Sequence, residues 1–213
     1  MTMPSRLSPA AFRAFQDGRP DEERWELIDG TPVMMTPPPP LIDHNRIASN
    51  LERLLNDALA LCDPDREAVQ RPGLEIEVGP AALEGLGFAG AYRPEPDVAV
   101  IDYEPVAGRR FVDRAHLLAE VVSGTDDDPI LPGGVSWIDA KTRLYRAHQA
   151  CRAVLVIEQR RIAVVVWERG PDGWDERRLT DPDDALDLPG FGLRCPVGAL
   201  YAGTHLRPRR RPA

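Results

Sequence analysis

Asp97-Val98-Ala99-Val100-Ile101 and, after a break, His116-Leu117-Leu118-Ala119-Glu120-Val121-Val122 are two near-continuous apolar runs of strand length. Such runs suit strands covered on both faces, and a sheet covered on both faces needs helices to cover it. Helical periodicity occurs on each side of the pair. From Asp43, the residues Ile47, Leu51, Leu54, Leu55, Ala58 and Leu59 form one apolar stripe that stops before Asp63-Pro64. Beyond the pair, the acidic, Pro/Gly-rich stretch 123–134 leads to a second helix over about 137–149. Ser136 and Asp139 stand in the S-x-x-D relation of a capping box, which gives Asp139 a structural role at the third helical position.

Further out, Leu74-Glu75-Ile76-Glu77-Val78 alternates as a half-buried strand and is expected as the other central strand, ahead of a Gly-rich loop over 79–90. Ala153 to Ile157 and Ile162 to Trp167 predict an apolar hairpin, and Trp174 to Leu179 an added edge strand. Near the start, Ser8 to Phe15 reads as a short helix capped by Ser8. The runs 24–28 and 32–35 flank Asp29-Gly30, a dipeptide suited to a tight hairpin turn, and Pro37 to Pro40 stiffen the exit. The order of elements predicts an α/β fold, a mixed sheet flanked by helices. The expected divisions are an N-terminal helix and arm over 1–19, a main domain over 20–180, and an extension over 181–213 with the basic tail Arg207 to Arg211.

At 213 residues with a net charge of −8, the chain is long enough for one proper core and lacks the basic footprint of a protein that holds nucleic acid through its overall field. Any DNA contact is therefore expected to be local or built between two subunits, and a homodimer is expected on that ground and from the apolar hairpin over 153–167. Cys62, Cys151 and Cys195 are far apart and not in metal-ligand spacing, which predicts reduced thiols. With no membrane-length apolar stretch and no apolar signal core in residues 1–10, a cytoplasmic location is expected.

Lys141 is the only lysine among 26 lysine and arginine residues. Lysine supplies a compact point charge that can lose its proton when desolvated, which arginine does not, so the exception suggests a position that needs an amine. Asp97 opens one strand, Glu120 lies in the next, and Lys141 lies on the following helix, where the return of the chain brings it over the same end of the sheet. Two carboxylates suit Mg²⁺, or Mn²⁺ in its place, with the remaining ligand sites filled by water and phosphate oxygens. A neighbouring lysine then orients or deprotonates the attacking water.

The ordered set Glu26-Leu27-Ile28-Asp29-Gly30, His44, Arg93 to Asp97, Glu120-Val121-Val122-Ser123, and Lys141 with Tyr145 resembles the Uma2 family of endonucleases over about residues 20–170. The resemblance implies a PD-(D/E)XK restriction-endonuclease-like fold and metal-dependent cleavage of DNA. It makes Asp97 and Glu120 the metal carboxylates, with the Val121 carbonyl as a further ligand and Lys141 as the catalytic amine. Val122 occupies the place of the usual E-x-K lysine, so the amine comes from the helix. Where family members often carry Ser-Pro-Ser-Thr, and an aspartate four residues before the lysine, this chain has Ser123-Gly124-Thr125 and Trp137.

Other residues of the pattern keep two readings each. Glu26 reaches the metal or its water, or is a solvent-facing strand residue. His44 touches a phosphate or packs at the helix start. Tyr145, one turn from Lys141, steers the lysine or packs in the core. Arg93 contacts phosphate or is solvated. Asp126, Asp127 and Asp128 are outer-sphere groups or part of a solvated loop. Two alternatives to catalysis also stand: a catalytically silent nucleic-acid-binding or protein-interaction module, and a structural ion-pair triad of Lys141 with the carboxylates.

Overall fold

In the computed structural model, residues 6–20, 23, 25–34, 41–75, 78–79, 83–84, 87, 91–122 and 136–208 are described. The Pro-rich exit at 37–40, the acidic stretch 123–134, most of the loop 79–90, positions 76–77 and the tail from 209 lie outside them.

Helix α1 (Pro9–Asp17) starts as its sequence predicts, with the Ser8 hydroxyl accepting the Ala11 amide at 3.1 Å. Strands β1 (Trp25–Ile28) and β2 (Thr31–Met34) form the expected antiparallel hairpin. Its turn puts Asp29 at φ 47° and Gly30 at φ 75°, the left-handed pair that matches the twist of a two-residue hairpin. A Cβ at Gly30 would also stand 2.7 Å from Cβ of Arg6, so the position excludes side chains twice over. Helix α2 (Ile42–Cys62) buries Ile47, Leu51, Leu55 and Leu59, the predicted stripe.

The main sheet has six strands in the order β10-β9-β8-β7-β5-β3. These are β3 (Arg66–Gln70), β5 (Val98–Asp102), β7 (Ala115–Val122), β8 (Ala153–Glu158), β9 (Val164–Gly170) and β10 (Gly173–Leu179). All neighbours are antiparallel except β7 and β8, which are parallel and joined through helix α3 (Trp137–Ala147). The sheet is thus mixed and the fold α/β, as expected.

One expected strand is displaced. Of the expected run 74–78, Leu74 falls in the short β4 (Gly73–Leu74), outside the main sheet and paired in parallel with β6 (Phe111–Val112), while 76–77 lie outside the described residues. The place beside β5 goes to β3, whose Arg-Glu-Ala-Val-Gln sequence buries only Ala68 and so carries little apolar signal. Asn56 of α2 holds this edge, its Nδ2 donating to the Ala68 carbonyl at 2.9 Å and its Oδ1 accepting the Ala68 amide at 2.8 Å. Saturating exposed edge groups in this way blunts further strand pairing.

Side chains of a strand alternate between faces, and here the alternation sorts two cores. Val98, Val100, Leu117, Ala119 and Val121 pack with the α2 stripe. Ala99, Ile101, Leu118 and Val154 pack with Trp137, Ala140, Leu144 and Tyr145 of α3. The hairpin of β8 and β9 lies within the sheet, and its Ala153, Leu155, Ile157, Val164 and Val166 belong to the α2-side core. Strands β11 (Ala185–Leu188) and β12 (Leu193–Pro196) form a small antiparallel pair. Leu186, Leu188, Phe191, Leu193, Val197, Leu200 and Tyr201 from this segment complete the same core. No described helix is long and apolar enough to cross a membrane.

Candidate active site

Val98 pairs with Ala119 across antiparallel β5 and β7, so one step further along the register Asp97 faces Glu120. Residues directly opposite share a face of the sheet, and by alternation with Leu118 this is the face covered by α3. Asp97 lies at the mouth of β5, where its Oδ2 accepts the Val121 amide at 2.8 Å. That contact ties the carboxylate to the neighbouring strand.

Helix α3 supplies the cation. Ser136 caps it, its hydroxyl accepting the Asp139 amide at 3.2 Å, so the capping pair found in the sequence sets where the helix begins. One turn on, Lys141 Nζ lies 2.7 Å from Glu120 Oε1 and 3.3 Å from Glu26 Oε1, and donates to the Glu95 carbonyl at 3.2 Å. Three partners meet the three protons of an ammonium. The Trp137 ring, with its centroid 5.4 Å from Nζ, adds a cation–π contact. Tyr145, on the same helical face, donates its hydroxyl to Glu120 Oε1 at 2.6 Å.

Glu26 arrives from β1. The hairpin docks through backbone hydrogen bonds between Leu27 and Arg93, and Glu26 Oε1 then accepts the Glu95 amide at 3.2 Å. Glu26 is thus a buried partner of Lys141 and not a solvent-facing strand residue. His44, in the first turn of α2, has Nε2 3.2 Å from Asp97 Oδ2. Arg93 is directed elsewhere: its guanidinium donates to the Tyr92 carbonyl at 2.7 Å and stands 3.6 Å from Glu75. Val121 contributes its amide, as the donor that holds Asp97.

Burial dominates the electrostatics. Removal from water pushes the Glu120 carboxyl up to about 8, against the pull of Lys141, and raises Glu26 as well. Burial alone would lower Lys141, but Glu120 and Glu26 outweigh it and hold the ammonium firmly protonated. Asp97 goes the other way, since His44 and the Val121 amide overcome the effect of burial and keep it below its usual range. The Tyr145 hydroxyl is raised by burial and by Glu120, so it remains a donor.

Glu26 Oε2 is buried with no hydrogen-bond partner among the described residues. An unsatisfied carboxylate oxygen beside an excess of acidic groups is costly, and it suits a hard cation that takes oxygen ligands. Among the described residues no three His, Cys, Asp or Glu side chains gather into a metal-holding group, and the Lys141 ammonium neutralises the carboxylates instead. Mg²⁺ requires only one or two protein carboxylates, so the donor set fits that ion.

Two participants carry little or no signal in the sequence pattern. The Glu95 backbone contacts both Lys141 and Glu26, a role that side-chain type does not reveal. Arg71, between β3 and β4, has Nε 3.8 Å from Asp97 Oδ1. Its only sequence cue is the Pro72-Gly73 pair that marks a turn.

Over residues 9–198 the chain matches the model of the Uma2 family, described as "Putative restriction endonuclease". Among solved structures it is similar to that of a "putative nuclease belonging to DUF820" from Anabaena variabilis, at 16% identity and a TM-score of 0.60, over 88% of this chain and 94% of that one. The likeness shows the fold, a restriction-endonuclease-like mixed sheet flanked by helices. No curated protein matches the chain.

Proposed function

The chain belongs to the Uma2 family, and from that membership and the geometry of the cluster we propose that it is a metal-dependent endonuclease that hydrolyses phosphodiester bonds in DNA, with Mg²⁺ or Mn²⁺ as its ion. The observation that carries this reading is Asp97 opposite Glu120 on one face of the sheet, with the chain's single lysine 2.7 Å from Glu120.

Asp97 and Glu120 would hold the ion, with the Val121 carbonyl as a further oxygen donor and Glu26 near enough to take part through the ion's water. When bound, such an ion activates water and offsets charge developing on the phosphate. Lys141 stays protonated beside Glu120 and Glu26, so its part is to donate hydrogen bonds to the attacking water or to a phosphate oxygen, not to act as the base. Tyr145 fixes the Glu120 carboxylate and His44 fixes Asp97, each as a positioning residue. The net acidity of −8 also supports a homodimer whose paired surfaces would grip the polyanion.

The saturation of Lys141 by three partners favours one competing reading, a structural ion-pair triad on a catalytically silent module. The deciding assay is cleavage of single- and double-stranded DNA, with RNA alongside, in Mg²⁺ or Mn²⁺. Wild type is expected to cut and Asp97→Asn to lose most of that rate. Equal cutting by both proteins, or none by either, would defeat the nuclease reading.

A further inference from the structure

Beside the carboxylate cluster lies a cavity of about 790 Å³, bounded by α1, the turn between β3 and β4, and the segment 104–112. Its lining includes Arg71 and Glu95, so it shares a wall with the candidate active site: Arg71 faces Asp97, and Glu95 binds Lys141 and Glu26 through its backbone. Arg109, Arg110 and Phe111 line it on another side.

Arg71 is the unusual member. Its φ is 54°, a left-handed conformation that a bulky residue adopts at a cost, and it precedes Pro72, which disfavours helical backbone in the residue before it. Strain of this kind persists where the surrounding structure imposes it, and it gathers at functional sites. The strained turn aims the guanidinium at Asp97, yet the pair is loose at 3.8 Å and the side chain remains about a third exposed. A cation so placed has donors to spare. Arg110 is exposed and forms no ion pair among the described residues, and Phe111, 36% exposed, carries the Arg13 guanidinium over its ring at 5.8 Å, a contact that a stacking base would replace or share. Asp17, Glu67 and Glu104 also line the hollow, against Arg13, Arg19 and Arg109, and Glu104 is matched by Arg109 at 3.2 Å.

We propose that this cavity binds one nucleotide of a single-stranded polynucleotide next to the bond to be cut, with Arg71 on the intervening phosphate and Phe111 against the base. Guanidinium groups match phosphate oxygens in a planar fork, and aromatic surface takes any base by stacking. The volume falls within the roughly 300–1,000 Å³ of pockets that enclose small ligands. A duplex keeps its bases stacked inward and would have to lie across the mouth. The chemical class of the ligand rests on the nuclease reading, but occupancy of the cavity does not depend on cleavage.

The test is fluorescence anisotropy without divalent metal, using a labelled single-stranded deoxyoligonucleotide and the matching duplex across a salt series. Wild type is expected to prefer the single strand. Phe111→Ala should weaken it about fivefold or more, the scale of one lost stack. Arg71→Gly should lower the salt slope by about one, the mark of a lost phosphate contact. Because glycine adopts φ 54° freely, Arg71→Gly should melt no lower than wild type, which separates lost binding from lost folding. Arg110→Gln, at an exposed position, gives a second charge-removal variant. Wild type that binds neither probe, a preference for duplex, or variants that bind like wild type would overturn the proposal. Single-strand binding without any metal-dependent cleavage would leave this inference standing and remove the catalytic one.

Discussion

Lys141 Nζ sits 2.7 Å from Glu120 Oε1, and both side chains are almost sealed from water at 3% and 9% exposure. Above about pH 8, where Glu120 is ionised, removing one partner of such a pair strands the other charge in the interior, which costs about 3–5 kcal/mol. Lys141→Met should therefore destabilise the protein by about that amount in urea unfolding. The Lys141→Met, Glu120→Gln double variant should cost less than the sum of the single changes. Additive effects would mean that the ion pair is not formed in solution.

The same pair gives stability a pH dependence. The folded Glu120 carboxyl titrates at about 8, above its reference of 4.5, so the folded state holds this proton more tightly than the unfolded chain does. Its contribution is complete below 4.5 and is lost as pH rises through about 8. Asp97 is depressed and contributes above its reference of 3.8, losing that contribution as pH falls. Melting temperature should thus decline between about pH 5 and 8.5 in wild type, and the decline should flatten in Glu120→Gln. Parallel profiles would exclude Glu120 as the source.

Divalent metal should raise the melting temperature, because an ion that binds only the folded state stabilises it, by about 2.7 kcal/mol at a hundredfold excess over Kd. The proton on Glu120 competes with the ion, so the rise should be larger at pH 8.5 than at pH 6. A double Asp97→Ala, Glu120→Ala variant should show no rise. An equal rise in that variant would place the ion elsewhere.

The start of α3 determines where Lys141 stands. Ser136→Ala removes the hydroxyl that accepts the Asp139 amide, and loss of such a cap costs about 1 kcal/mol. If the first turn frays, Lys141 loosens from Glu120, and cleavage should fall further than the stability loss alone explains. Ser136→Asp, which restores an acceptor, should recover both. Failure of Asp to rescue would detach the cap from the site.

Local chemistry was enough to read much of this molecule. The Ser8 and Ser136 caps, the Asp29-Gly30 turn, the α2 stripe and the apolar runs of β5, β7, β8 and β9 depend on neighbours a few residues away, and the sequence displays those neighbours directly. The lone lysine and the carboxylates at 97 and 120 were legible because their residue types are unusual where they stand. Partnership was not legible in the same way. Strand β3 is polar and gains its place from β5 and from Asn56, twelve residues before Ala68, so its own pattern does not announce it. Arg93 and Arg71 look alike in sequence, yet long-range packing turns one toward Glu75 and the other toward Asp97. The backbone of Glu95 joins the cluster only because the β1–β2 hairpin docks against residues 91–95. Periodicity tells a residue which face it occupies, but what lies across that face depends on contacts between distant segments, and those are decided when the whole chain packs.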